Sequence, residues 1–297
     1  MSIDPGSAAG NPFRPACFTG ILEDCRPAAL RTCELTFTLE GIPRPGRPGA
    51  RNRYPVPAKP LPGQFYNLDC GGAKEHLLPR PLSVYRAEGG FSAGKDNPGR
   101  VSFLVEEVGW GTSRLCSLVS GDRVRLVGPL GTPFDLSPPE GRGLALLVAG
   151  GMGFAPLSFL AGEFDRQSVP YHLLAGFRSS ESCPQGVTVP GERAVLFTDD
   201  GSRGRQGTPC DEIGPRLESG RYCRVYSCGP EAMMKAVALQ AEALKIPCQV
   251  SLVSRMACGI GACRGCVRPG RNGENLCVCT RGPVFDSLVV QWKGGHD

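Results

Sequence analysis

The sequence predicts a β + α/β architecture in three regions: an antiparallel β-barrel, a doubly wound parallel sheet, and a small cysteine-rich C-terminal lobe. Across residues 16–140, short alternating apolar runs are split by turn residues, as in Leu35–Leu39, Gly63–Leu68, Val101–Val105 and Asp122–Val127. That is the texture of an antiparallel barrel. Across 141–247 the pattern changes to strands alternating with helices, which argues for a parallel sheet covered on both faces. Residues 248–297 form a cysteine module too short to hold a core of its own without a metal.

Each element has its own justification. Residues 1–15 are small, polar and proline-containing and read as a flexible tail. Residues 41–62 carry seven prolines and four arginines, the composition of an extended, solvated loop inserted between two strands. Arg80-Pro81-Leu82-Ser83 closes a predicted strand, and Gly109–Leu118 is a glycine turn opening a short helix. Leu144–Val148 is a continuous apolar run, as in a parallel strand buried on both faces. A glycine turn and helix follow at Gly150–Ala161, then strands at Tyr171–Ala175, Ala194–Thr198 and Arg224–Ser227, and a helix at Glu231–Lys245.

Composition narrows the function classes. The chain has 297 residues, 41% hydrophobic and 21% charged, with a net charge of +5. That charge is diffuse, so no nucleic-acid partner is implied. No apolar run approaches the ~18 residues that cross a bilayer, so no membrane partner is expected. Fifteen cysteines would suit a secreted disulfide scaffold only in a short chain with an even count and a signal peptide. A reducing, cytoplasmic location is expected instead, with most cysteines acting as small buried hydrophobes.

The exception is the tail. Cys258, Cys263 and Cys266 are spaced C-x4-C-x2-C, and Cys279 follows just ahead of Gly282-Pro283-Val284-Phe285. This is the plant-type start of a four-thiolate [2Fe–2S] site. Gly259 and Gly261 let the backbone curl and aim N–H groups at sulfur. A zinc site more naturally shows two C-x2-C knuckles, whereas this chain has one. Cys277, two residues before Cys279, completes four thiolates equally well, so the spacing leaves the fourth ligand open.

Four further motifs have the chemistry of nucleotide binding. Arg80 and Ser83 offer charge-assisted hydrogen bonds to a pyrophosphate, and Pro81 is expected to lock the backbone so that both point the same way. Gly111 and Thr112 open a helix whose free N–H groups suit an anion; a simple capped connector is the competing reading. Gly150, Gly151 and Gly153 directly follow a buried strand, where glycines let a dinucleotide's phosphates approach. Cys228, Gly229 and Pro230 end another strand, placing Cys228 where a nicotinamide ring would lie, although a buried structural cysteine is the commoner use. Asp199–Ser202 reads either as a ribose contact or as a turn. Arg178, Arg203 and Arg205 lie in loops where an arginine would select a 2′-phosphate.

Taken in order, RPLS, GWGTSRL, GPLG, GGMGFAPL, TDDGS, CGPEAMM and MACGIGACRGC…CTRGPVF resemble the electron-transfer subunits of NAD-dependent dihydroorotate dehydrogenase B, in the ferredoxin–NADP reductase superfamily. The resemblance runs over residues 16–290. It implies an FAD-binding barrel at 16–140, an NAD-binding α/β domain at 141–247 and a [2Fe–2S] lobe at 248–297. It implies FAD contacts at Arg80, Pro81, Leu82, Ser83, Leu104, Val105, Glu106, Gly111 and Thr112, NAD contacts at Gly150, Gly151, Gly153, Cys228, Gly229 and Pro230, and cluster ligands at Cys258, Cys263, Cys266 and Cys279. Cys279, not Cys277, matches the family's position three residues before Gly-Pro-Val-Phe. Two departures stand out: Val253-Ser254-Arg255 replaces a stretch that usually carries a glutamate, and the 41–62 insertion is longer than typical.

The resemblance also implies a partner, an FMN-containing catalytic subunit, in a heterotetramer of two copies of each. Electrons from dihydroorotate would reach NAD through the cluster and FAD, in pyrimidine (UMP) biosynthesis. Nicotinamide takes two electrons as hydride and a [2Fe–2S] cluster takes one, so a flavin must lie between them. The motifs would serve equally in an NAD(P)H reductase subunit of a hydrogenase or a ferredoxin–NADP transhydrogenase, because no residue of this chain reads the substrate. A redox sensor is the non-enzymatic rival.

Overall fold

In a computed structural model of the chain, residues 16–41, 58–71, 78–91, 98–137, 143–185 and 193–292 are described. The expected tail and most of the 41–62 insertion lie outside them.

The first sheet has seven strands: β1 (Ala16–Ala29), β2 (Thr32–Gly41), β3 (Phe65–Leu68), β4 (Arg80–Ser83), β5 (Arg86–Glu88), β6 (Arg100–Glu106) and, after helix α1 (Trp110–Cys116), β7 (Arg123–Leu130). Their order is β4-β3-β7-β1-β2-β6-β5, and every pairing is antiparallel. The alternation read from the sequence faces inward here: Phe18, Leu22, Leu35, Phe37, Phe103 and Leu126 are buried together. Between β4 and β5 the chain crosses the barrel. The Val84 N–H donates to Gln64 O at 3.0 Å and the Tyr85 N–H to Ser102 O at 2.8 Å, so the ends of the sheet close on each other.

The second sheet begins with β8 (Leu144–Gly150), a single 3₁₀ turn at Gly151–Gly153, and α2 (Phe154–Gln167). It continues through β9 (Tyr171–Phe177), β10 (Ala194–Thr198), β11 (Arg205–Gln206), α3 (Cys210–Glu218), β12 (Tyr222–Cys228), α4 (Glu231–Ala243) and β13 (Cys248–Ser251). These strands are parallel. The glycine turn expected after β8 is the 3₁₀ turn, and the helix that follows it starts at Phe154. Buried Phe154, Leu157, Leu160, Ala161 and Phe164 form its helical stripe against the sheet.

The cysteine module grows from this sheet's edge. The hairpin β14 (Val267–Pro269) and β15 (Asn275–Cys277), then α5 (Val278–Arg281), lead to β16 (Val284–Asp286). β16 returns antiparallel to β13, pairing Val250 with Phe285. The lobe is thus clamped at both ends, and it also touches the barrel: the Thr132 N–H donates to Gly282 O at 2.6 Å. No helix among the described residues is long and apolar enough to cross a membrane.

Candidate functional site

Three glycine-rich or cysteine-rich places stand out. In the first, Gly259 (φ +70°) and Gly261 (φ +82°) adopt the left-handed conformation that favours glycine. The loop they curl aims N–H groups at sulfur. The Cys263 N–H donates to Cys258 Sγ (3.3 Å), Gly265 N–H to Cys263 Sγ (3.4 Å), Cys279 N–H to Cys266 Sγ (3.4 Å) and Gly261 N–H to Cys279 Sγ (3.2 Å). Each of the four expected ligands therefore accepts a backbone N–H. Burial works to raise the Cys258 thiol, but N–H groups of Cys263, Ile260 and Ala262 prevail and bring it down to about 7. Four thiols, each met by a backbone N–H, form a donor set that fits a [2Fe–2S] cluster.

The corners of this site differ. Cys266 and Cys279 are buried, Cys258 is half-buried and Cys263 is exposed. Cys277, the other candidate for the fourth ligand, lies 3.7 Å from Cys266 Sγ and 3.8 Å from Cys279 Sγ, sulfur to sulfur. Of the two, Cys279 is the one tied to the Cys258–Cys263 loop, through Gly261.

The second place is built by two motifs thirty residues apart. Arg80–Ser83 does not close a strand; it is the strand β4, paired with β3. Strand alternation puts Arg80 and Leu82 on one face and Pro81 and Ser83 on the other. The expectation that Pro81 makes Arg80 and Ser83 point the same way is therefore corrected: a strand's two-residue period separates positions three apart. The Arg80 guanidinium lies against Gly111, where an added Cβ would come within 2.5 Å of its Nε. Arg80 is further held by donating to Leu78 O at 2.7 Å. Thr112 Oγ1 accepts from the Val108 N–H (3.0 Å) and the Gly109 N–H (3.2 Å), so its hydroxyl holds the turn. The cradle of Gly111 beneath a guanidinium fits the pyrophosphate of a flavin dinucleotide. Leu104 and Val105 are buried, while Glu106 at the strand end is exposed.

In the third place, two turns at the C-terminal ends of adjacent strands pack backbone to backbone. A Cβ on Gly153 would lie 2.1 Å from Cys228 O, one on Gly229 2.9 Å from Gly150 Cα, and one on Gly150 2.7 Å from Pro230 Cδ. β8 sits between β9 on one side and β12 on the other, so the chain reverses direction across the sheet here. That switch point is where open parallel sheets bind dinucleotides. The Cys228 thiol faces inward, donating to Ser251 O at 3.6 Å, and burial pushes it up to about 12. Its backbone carbonyl, rather than its sulfur, abuts Gly153.

Asp199–Ser202 closes on itself, the Ser202 N–H donating to Asp200 Oδ1 at 3.0 Å. Arg205 is engaged by Glu212.

The Gly153 contact makes a prediction. Gly153→Ala sets a methyl against immovable backbone, so it should destabilise the fold by about 1–3 kcal/mol and raise the KM for NAD while flavin is retained. Thermal unfolding and steady-state kinetics of the variant measure both. An unchanged KM contradicts the assignment of this turn.

Asn67 was not singled out from the sequence. It is 2% exposed on β3, and its Nδ2 donates to Ala257 O at 3.5 Å. A Cβ on Gly259 would meet that nitrogen at 2.4 Å. On the same strand Asn67 pairs with Pro81. β3 is thus the single strand between the cysteine loop and the Arg80–Ser83 strand. The available signal was a polar residue inside the apolar run Phe65-Tyr-Asn-Leu68.

Comparison with known proteins agrees with this geometry. Residues 254–291 match the family described as the iron–sulfur cluster binding domain of dihydroorotate dehydrogenase B. The chain is 35% identical over 238 residues to the dihydroorotate dehydrogenase B (NAD(+)) electron transfer subunit of Desulforamulus reducens, covering 78% of this chain and 87% of that protein. It is 36% identical over 224 residues to the subunit of the same name from Clostridium acetobutylicum, covering 75% and 83%. Among solved structures, an NADH-dependent reduced ferredoxin–NADP oxidoreductase superposes with a TM-score of 0.71 at 23% identity, over 92% of this chain and 90% of that one. Phthalate dioxygenase reductase superposes with a TM-score of 0.56 at 15% identity, over 89% and 94%. These two likenesses describe the fold.

Proposed function

Because this chain belongs to the dihydroorotate dehydrogenase B (NAD(+)) electron transfer subunits, we propose that its three places divide the work of carrying electrons from a catalytic partner to NAD. Cys258, Cys263, Cys266 and Cys279 hold a [2Fe–2S] cluster. Arg80, Gly111 and the strands around them hold FAD, with Pro81, Leu82, Ser83, Leu104, Val105, Glu106 and Thr112 shaping that site. Gly150, Gly151, Gly153, Cys228, Gly229 and Pro230 form the NAD turn. When bound, the three groups supply single-electron transfer, conversion between one- and two-electron steps, and hydride acceptance.

The chain's own residues set the order. The observation that carries this reading is the place of β3, with the cysteine loop against Asn67 and the flavin strand hydrogen-bonded to its edge. Neighbouring strands lie about 4.8 Å apart, so cluster and flavin sites stand close without a separate docking step. The backbone N–H groups around the thiolates offset the cluster's negative charge. Arg80 neutralises phosphate, and the packed glycines leave room for a second dinucleotide. Nothing in this division requires an acid or base of this chain to touch dihydroorotate.

The partner is the catalytic subunit of the same enzyme, which we take to carry FMN and to assemble as two copies of each chain. Exposed Cys263, with Ile260 (53% exposed) in the same loop, marks the edge facing that partner, since large apolar side chains left in water favour an interface. The lobes at 16–140, 141–247 and 248–297 correspond to flavin, nicotinamide and cluster. Anaerobic purification with cofactor analysis tests this assignment. About one FAD, two irons and two sulfides per chain are expected. Zinc in place of iron, or a chain without flavin, overturns it.

A further inference from the structure

The cluster assignment leaves one thiol over at the same place. Cys277 ends β15, held by pairing with Val267, and α5 begins immediately after it. Cys266, Cys277 and Cys279 present three sulfurs all within 4.8 Å of one another. Cys277 approaches Cys266 at 3.7 Å and Cys279 at 3.8 Å. The other cysteines near the sheet behave differently: Cys228 is turned to a backbone carbonyl in the core, and Cys223 bonds Leu144 O. Cys277 is therefore a ligand-competent thiol at the buried corner of a site that already has its four.

We propose that Cys277 is a reserve ligand of the cluster site: when the sulfur of Cys279 is lost, the sulfur of Cys277 takes its coordination position. This rests on the reading that Cys258, Cys263, Cys266 and Cys279 hold a [2Fe–2S] cluster. The exchange balances without any redox change. One iron–sulfur bond to position 279 is replaced by one to position 277, and Cys277 releases its thiol proton to water. Four-thiolate coordination is kept, and because position 277 is reached through a different backbone segment, the electronic environment shifts. The exposed corner at Cys263 has no such neighbour among the described residues grouped for metal binding. Damage there would release the cluster, whereas damage at Cys279 would not.

The test compares anaerobically purified full-length chains: wild type, Cys277→Ala, Cys279→Ala and the double variant. Iron, acid-labile sulfide, visible absorption and the electron paramagnetic resonance spectrum are read, with bound FAD reporting that each has folded. Cys279→Ala is expected to keep about half or more of the wild-type iron with shifted spectra, and the double variant less than about a tenth. The same comparison with Cys279→Ser, which preserves side-chain volume, covers the case in which the alanine variant loses FAD. Iron loss from the Cys279 variants as complete as from the double variants overturns the proposal. So does loss of iron from Cys277→Ala alone, which would make Cys277 the ordinary ligand. A wild-type chain that folds and binds FAD without a [2Fe–2S] spectrum overturns the underlying reading itself, and is recognised separately.

Discussion

The Cys263→Ser variant is expected to yield a folded, flavin-containing chain that no longer passes electrons between the two subunits. Cys263 is exposed, and its sulfur accepts only the Gly265 N–H among the bonds described. Exchanging sulfur for oxygen there disturbs no core contact. It does replace a soft thiolate by a hard, scarcely ionised hydroxyl at one corner of a four-thiolate site. Dihydroorotate-dependent NAD reduction by the assembled enzyme should fall to below about a hundredth of the wild-type rate, equivalent to more than ~2.7 kcal/mol of barrier. The catalytic partner should still reduce an artificial acceptor with dihydroorotate, because its own site is untouched. Loss of that activity too would point to failed assembly, and retention of NAD reduction would show that Cys263 is not a ligand.

Arg80→Ala is expected to release FAD. Arg80 sits where an added Cβ on Gly111 would reach its guanidinium at 2.5 Å, so one charged group serves two motifs. A hydrogen bond to a charged group contributes roughly 1.5–3 kcal/mol, so removing it should weaken FAD binding about 10- to 100-fold. Fluorescence titration of the flavin-stripped chain measures this directly. The helix and strand of this region should survive, since Val105 and Leu115 pack in the barrel core, which does not depend on the arginine. An unchanged FAD affinity would remove Arg80 from the flavin site and leave Gly111 as a packing glycine only.

Much of this arrangement is legible in the sequence because it is local. Alternation at Leu35–Leu39 and Val101–Val105 and the apolar run at Leu144–Val148 are short-range patterns, and each reappears as the element it implies; the spacing of Cys258, Cys263 and Cys266 reappears as a loop whose N–H groups meet sulfur. What the sequence does not carry is pairing across distance. β13 and β16 are a four-residue and a three-residue run, too short for periodicity to declare them, and their partnership depends on the loop between them. Arg80 meeting Gly111 and Asn67 meeting Gly259 are likewise products of barrel closure. One misreading has a local cause: Arg80 and Ser83 are split to opposite faces because they lie on a strand.

In the proposed function one chain links a [2Fe–2S] cluster, FAD and NAD to a dihydroorotate-oxidising partner. The most direct test is to combine the purified holo-chain with its catalytic subunit and follow orotate and NADH together, after adding dihydroorotate and NAD. Orotate and NADH appearing in equal amounts, dependent on both chains, is the result expected. Orotate formed without NADH, or NADH-dependent dye reduction by this chain with no orotate-coupled activity in the mixture, would contradict the claim.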